Sequence, residues 1–289
     1  MCGSVRKGTI EGLMMLVLKK LLLSAGINSR CDCFIAGFQK CFTTSVFDTL
    51  IQHPDLNGAY GKEVHFFEDT PFSGRKNLID YHCAFPLTWK WSSKKMIEAS
   101  PGYANEASVR SILSYNPKAK FLFLLRNPID RFVSSWRMHH LSFGPDTHYN
   151  GIAVWDDRTL EQALNDELES YNIGNYDVID RFGPRRPRYL LKGCYYSALS
   201  PIMNMIPKDQ VQVYVCEEDI LGRQEEMYAE LAKYFGLKEW SFVFEHSNRS
   251  PSVEISDDVH KKLVSFYTDD VRELRNLLGR SLSSWNLPK

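Results

Sequence analysis

The 289-residue chain has no surplus of either charge: 35 Lys and Arg stand against 35 Asp and Glu, a formal net charge of zero. General nucleic-acid binding ordinarily needs a basic excess, so no nucleic-acid partner is expected. There is no C-x-x-C pair among the seven cysteines, and none follows Cys216. An odd count without paired spacing argues against a disulfide framework and a zinc site, and for reduced thiols in a cytosol-like compartment. A long apolar run is also missing near the N-terminus. The stretch Leu13 to Leu18 is six residues long and stops at Lys19 and Lys20, whereas a spanning helix needs roughly 20 apolar residues. Basic residues ahead of an apolar stretch also fit a signal peptide. The favoured reading is an amphipathic helix that packs on the body or lies on a surface. No repeat or low-complexity tract occurs.

What is there is ordinary globular composition, 44% hydrophobic and 24% charged, at a length that suits one large α/β domain or two small ones. The expected division is an N-terminal extension over 1–30 and a single body over 31–289. "CDCFIAG" (31–37) reads as a buried strand, with a helix following from about Phe42 to Gln52. "HPDLNG" (53–58) reads as a turn, "KKMIEAS" (94–100) as a strand and "ANEASVRSILSYN" (104–116) as a helix. "AKFLFLLRN" (119–127) is the clearest strand, because its continuous apolar run suits burial on both faces. Asn127 then caps a helix with Pro128 at its first position, and Ile129, Phe132, Val133 and Trp136 follow at helical spacing. "DQVQVYVCEED" (209–219) is a further strand, and helices are expected over 223–236 and 256–278. Strands alternating with helices imply a parallel sheet covered on both faces, with ligands at the carboxyl ends of its strands.

Two loops leave such ends. In "GFQKCFTTS" (37–45), the amides of Cys41, Phe42, Thr43, Thr44 and Ser45 would open a helix. With the helix dipole they attract an anion. The hydroxyls of Thr43, Thr44 and Ser45 add donors and Lys40 adds a mobile charge; an ordinary strand-to-helix turn is the plainer alternative. The nucleotide-hydrolysing pattern G-x-x-x-x-G-K-[ST] is absent. That class also needs an acidic residue for magnesium after another strand, and here "FLFLL" runs into Arg126. A cation there attracts a second phosphate and repels a metal. In "RNPIDRFVSSW" (126–136), Arg126 can grip a phosphate bidentately and Ser134, eight residues on, can add a hydroxyl. Arg131 is either a second grip or a surface charge.

Together the two loops resemble the PAPS-dependent sulfotransferases (PAPS is 3′-phosphoadenosine 5′-phosphosulfate; PAP is its desulfated product), in particular the heparan sulfate branch and its soluble bacterial relatives. "GFQKCFTTS" is similar to that family's 5′-phosphosulfate loop and "RNPIDRFVS" to its 3′-phosphate motif. "GKEVHFFED" (61–69), "EASPGY" (98–103), the G-x-Y of "GCYYSALSP" (193–201) and "GRSLSSW" (279–285) resemble further family segments in the same order. The resemblance implies a P-loop-like parallel sheet flanked by helices in a single domain, and a donor used without metal. It implies that Lys40 stabilises the leaving phosphate and that Glu63 is the base. His65 and Glu68 would orient the acceptor or the base, with His65 the second choice as base. Cys41 to Ser45, Arg126, Ser134 and Tyr195 would contact the donor. Two departures stand out. Phe42 replaces a glycine and could wall the acceptor pocket; Ala99 replaces a lysine common in the glycan branch.

The expected acceptor is a small molecule or sugar, offering a hydroxyl or an amine and met in the cytoplasm; a secondary metabolite fits. Tyr81, His82 and "LTWKW" (87–91) are candidate acceptor contacts, with packing by Trp89 and Trp91 the alternative; the cluster "RFGPRRPRYLLKG" (181–193) would bind an anionic acceptor or the donor, or form a solvated turn. The alternatives are a nucleotide-binding protein without turnover and a small-molecule kinase on a related sheet.

Overall fold

The computed structural model describes residues 10–25, 30–68, 78–87, 93–149, 152–172, 188–244 and 253–288. The chain forms two compact units, one of residues 1–125 with 198–249 and one of 126–197 with 250–289.

The first unit is built on a parallel sheet. Its strands are β1 (Cys31–Gly37), β2 (Leu56–Gly58), β3 (Lys95–Ala99), β4 (Lys120–Leu125) and β7 (Val211–Val215), in the order β2-β3-β1-β4-β7. A short antiparallel pair, β5 (His148–Tyr149) with β6 (Ile152–Ala153), belongs to the second unit. Helices α1 (Ile10–Ser24), α2 (Thr43–Leu50), α3 (Leu78–His82), α4 (Glu106–Tyr115) and α8 (Gln224–Phe235) accompany the sheet in sequence. The strands expected over 31–37, 94–100 and 119–127 are present, as is an α/β parallel sheet flanked by helices. Phe121 to Leu125 are all buried, as a strand covered on both faces requires. The connection from β1 leads towards β2 on one side, while β4 leads towards β7 on the other. The carboxyl ends of β1 and β4 therefore form a switch point, the usual ligand position of an open α/β sheet.

Some expectations need correction. Residues 53–58 do not only turn: Leu56–Gly58 add an edge strand, too short to show a sequence pattern. The strand expected over 209–219 stops at Val215, and Cys216–Ile220 form a π-helical turn. There the buried Asp219 carboxylate accepts the Val215 amide at 2.6 Å and ends the extended run. Helix α1 packs on the body. Lys19 Nζ donates to the carbonyls of Cys83 (2.8 Å) and Phe85 (2.7 Å), and Lys20 pairs with Asp80 at 2.6 Å. Among the described residues no helix is long and apolar enough to cross a membrane.

The second unit holds α5 (Pro128–Leu141), α6 (Leu160–Asn172), the start of α7 (Tyr195–Met205) and α9 (Asp257–Leu278). Asn127 caps α5 by accepting the Ile129 amide at 2.9 Å. The buried face of α5 carries Ile129, Phe132 and Trp136 as expected, but Arg131 and Ser135 in place of Val133. Arg131 is thus neither a surface charge nor an open grip: it is fully buried, and its Nη2 donates to the Tyr189 carbonyl. Beside this, Glu167 accepts the amides of Tyr189 (2.8 Å) and Leu190 (2.7 Å), and the Tyr267 hydroxyl donates to the Leu190 carbonyl (2.8 Å).

Candidate active site

The loop after β1 is tight because its strand is tightly packed. A Cβ on Gly37 would lie 2.7 Å from the Ala104 Cβ, so only glycine permits this approach. Phe38 N donates to the Leu124 carbonyl at 3.0 Å, tying the loop to the end of β4. The chain then reverses through Lys40 and Phe42, both left-handed, at φ 69° and 59°. Phe42 is the residue before α2, and it brings no side-chain oxygen to the first-turn amides. The first bond of the helix runs from Val46 N to the Phe42 carbonyl at 3.0 Å. The amides of Thr43, Thr44 and Ser45 thus open the helix with a positive dipole end, as an anion site requires. Lys40, Phe42 and Thr44 are half-buried, while Cys41, Thr43 and Ser45 are buried. This left-handed conformation of Phe42 is one that glycine adopts without strain.

The second cluster of this unit lies in residues 62–68. Glu63 and His65 are also left-handed, at φ 67° and 55°. Four of the six non-glycine residues with positive φ among those described are thus residues singled out from the sequence. Strain of this kind, on the order of 1–3 kcal/mol per residue, collects at functional sites. His65 stands between two carboxylates: Nε2 is 3.3 Å from Glu63 Oε2 and Nδ1 is 2.6 Å from Glu68 Oε1. Lys62 Nζ meets the other Glu63 oxygen at 2.8 Å.

These contacts set the protonation states. Hydrogen bonds to Glu63 and Glu68 raise the His65 pKa to about 9 against the opposing effect of burial. For Glu63, burial pushes upward, but His65 and Lys62 together draw its pKa down to about 2. At neutral pH the site therefore holds an ionised Glu63 beside an imidazolium that has no lone pair to accept a proton. Glu68 reaches His65 across Gly102, where a Cβ would collide with the Glu68 carboxylate.

Ala99 is buried at the carboxyl end of β3 and accepts the Glu63 amide at 3.0 Å. Lys95 begins the same strand, about 13 Å away at the usual rise per residue, so neither it nor Lys94 replaces the missing lysine. Tyr81 is fully buried and donates to Glu98 Oε2 at 2.6 Å, so it faces the core rather than an acceptor. His82 is half-buried, its pKa drawn down to about 4 by burial and by Arg30. Residues 88–92 and 173–187 lie outside the described residues, and with them most of "LTWKW" and of the basic cluster. Lys62, Glu98, Ser100, Gly102 and Tyr103 had no role assigned from sequence. A lone carboxylate in the otherwise apolar end of a strand was the available signal for Glu98.

In the second unit, Arg126 follows β4 directly and is half-buried, as is Ser134 on α5. Tyr195 is fully buried, and its hydroxyl donates to the Arg126 backbone carbonyl at 2.9 Å. It fixes the residue at which the chain leaves the strand. Its ring packs on Trp285, whose carbonyl accepts a hydrogen bond from the Asn127 side-chain Nδ2 at 3.1 Å.

No family model matches the chain. It is 36% identical over 120 residues to the bifunctional heparan sulfate N-deacetylase/N-sulfotransferase 1 of Mus musculus, covering 39% of this chain and 14% of that protein. To the protein of the same description from Xenopus laevis it is 33% identical over 194 residues, covering 64% of this chain and 20% of that one. The matches thus span a fifth or less of those relatives' length. Among solved structures, a sulfotransferase from Alicyclobacillus acidocaldarius superposes with a TM-score of 0.69 over 89% of this chain and 99% of that one, at 23% identity. That likeness concerns the fold. The resemblance to sulfotransferases read in the sequence is borne out by the two relatives, and the expected fold by the solved structure.

Proposed function

We propose that this chain, sulfotransferase-like in sequence and fold, transfers a sulfuryl group from PAPS to a hydroxyl or amine of a small-molecule or sugar acceptor. The observation that carries this reading is the Glu63–His65–Glu68 cluster: an ionised carboxylate with an exposed tip, backed by an imidazolium that cannot compete with it for a proton. The start of α2 and Lys40 fit the 5′-phosphosulfate. The resemblance assigns Arg126 and Ser134 to the 3′-phosphate, with Tyr195 holding Arg126 in place.

In the reaction the acceptor oxygen or nitrogen attacks sulfur in line. Glu63 takes its proton as the new bond forms, and the bond from sulfur to the phosphate oxygen breaks. Lys40 neutralises the charge that appears on that oxygen. Glu63 supports this role better than His65, because His65 already carries both ring protons below about pH 9. Phe42, at the position of a family glycine, lines the acceptor side. The chemistry uses no metal, and the acceptor is met in the cytoplasm.

Calorimetry with PAP, with and without magnesium and chelator, combined with labelled PAPS and an acceptor panel, tests the whole reading. PAP should bind in the micromolar range, about −8 kcal/mol, with chelator present. Arg126→Ala should weaken it by roughly 1.5–3 kcal/mol. Binding that requires magnesium would favour a kinase. Binding without any turnover would favour a silent nucleotide-binding protein, and unchanged affinity in Arg126→Ala removes that residue from the site.

A further inference from the structure

Glu98 is fully buried at the end of β3 and takes no part in the proposed chemistry. Three hydroxyls converge on it. Ser100 Oγ (2.7 Å) and Tyr103 Oη (2.6 Å) donate to Oε1, and Tyr81 Oη (2.6 Å) donates to Oε2. Burial raises its pKa, while the donors from Tyr103, Tyr81 and Ser100 oppose that rise. Two of these hydroxyls face the other way as well. Ser100 Oγ accepts the His65 amide at 3.2 Å, and Tyr103 Oη accepts the amides of Phe66 (2.9 Å) and Phe67 (3.3 Å).

A hydroxyl has one proton. Once Ser100 and Tyr103 give theirs to Glu98, their lone pairs must point towards the segment that carries Glu63 and His65. With the bond from Glu63 N to the Ala99 carbonyl (3.0 Å), four amides of residues 63–67 are held by the end of β3 and the turn after it. That segment is neither helix nor strand, and two of its residues hold left-handed backbones. Such conformations persist only where the surroundings fix them.

We infer that Glu98 is a positioning residue, which orients the Ser100 and Tyr103 hydroxyls and through them fixes the backbone of the segment bearing Glu63 and His65. The inference rests on the sulfotransferase reading for its effect on turnover but not for its effect on the backbone. Glu98→Leu removes the shared acceptor at similar volume, whereas Glu98→Gln keeps one oxygen for Ser100 and Tyr103.

Hydrogen–deuterium exchange, PAP calorimetry and turnover are compared across Glu98→Leu, Glu98→Gln and Tyr103→Phe, the last deleting a single hydroxyl. In Glu98→Leu and Tyr103→Phe, the Phe66 and Phe67 amides should exchange at least about tenfold faster, scaled to a lost hydrogen bond, while β1 and β4 amides keep their protection. Turnover should fall about tenfold or more on the same grounds, with PAP affinity within about twofold; Glu98→Gln should retain most of both properties. Should Glu98→Leu fail to fold, Tyr103→Phe decides on the same readouts. Unchanged exchange at Phe66 and Phe67 overturns the inference, and so does a turnover loss matched by lost PAP affinity. If the wild-type chain transfers no sulfuryl group, the function reading fails while the exchange result still judges Glu98.

Discussion

The loop over Phe38 to Ser45 and the segment over Lys62 to Glu68 are alike in one respect: each carries two left-handed non-glycine residues among its proposed functional side chains. They are held in different ways. The first lies between a buried strand and a helix that are its neighbours in sequence, with one tie from Phe38 N to the Leu124 carbonyl of β4. The second is itself neither helix nor strand, and it is pinned by Ala99, Ser100 and Tyr103 from another part of the chain. A strand-loop-helix cradle is a local solution for binding an anion. The proposed base, Glu63, is set by tertiary contacts instead.

Four substitutions or titrations would break or sharpen this contrast. Glu63→Gln keeps shape and removes basicity, so kcat should fall by roughly 100 to 10,000-fold with PAP affinity intact. Near-wild-type turnover in this variant, with His65→Ala inactive, would move the base to His65.

Lys40→Ala acts on the other loop. It should lower kcat by about 100-fold or more, and PAP affinity far less, because the lysine charge matters most as the bond to sulfur breaks. A loss of only a few-fold would leave Lys40 as decoration on the loop.

A pH series separates the two regions without mutation. Neutral His65 has one N–H and cannot bridge both Glu63 and Glu68, so turnover should drop as pH rises past about 9. PAP affinity should stay level from pH 7 to that point. The same linkage acts on stability. The folded-state pKa of His65 is raised, so its contribution is full below its ordinary value of about 6.5 and is lost as pH rises through about 9. Glu63 is depressed, so its contribution is present above its ordinary value of about 4.3 and is lost as pH falls towards about 2. A turnover profile flat to pH 10 would separate His65 protonation from catalysis.

The smallest effect belongs to Phe42→Gly. A left-handed non-glycine residue costs roughly 1–2 kcal/mol, and relief of that strain is offset by the greater backbone freedom of glycine when unfolded, about 0.5–1 kcal/mol. Thermal stability should therefore change little, PAP affinity should hold, and the Michaelis constant for the acceptor should rise. Altered PAP binding with acceptor binding untouched would show that the ring shapes the phosphate loop instead.

The sequence by itself determined most of the sheet, the cap of α5 and the order of the two loops that follow β1 and β4. Each follows from signals a few residues apart: the apolar run of β4, the Asn127-Pro128 pair, and the passage from β1 through Lys40 into α2. It could not show that Arg131 is a buried strut while Val133 is only half-buried, because a helical period does not reveal which distant segments, such as that of Tyr189, cover the helix. Nor could it show the edge strand β2, which exists only because β3 offers it a ladder. The charge state of Glu63 and His65 depends on tertiary structure in the same way. A carboxylate and an imidazole two residues apart could face anywhere. Only the fold, through amides held at the end of β3 around a buried Glu98, brings Lys62, Glu63, His65 and Glu68 into one hydrogen-bonded cluster.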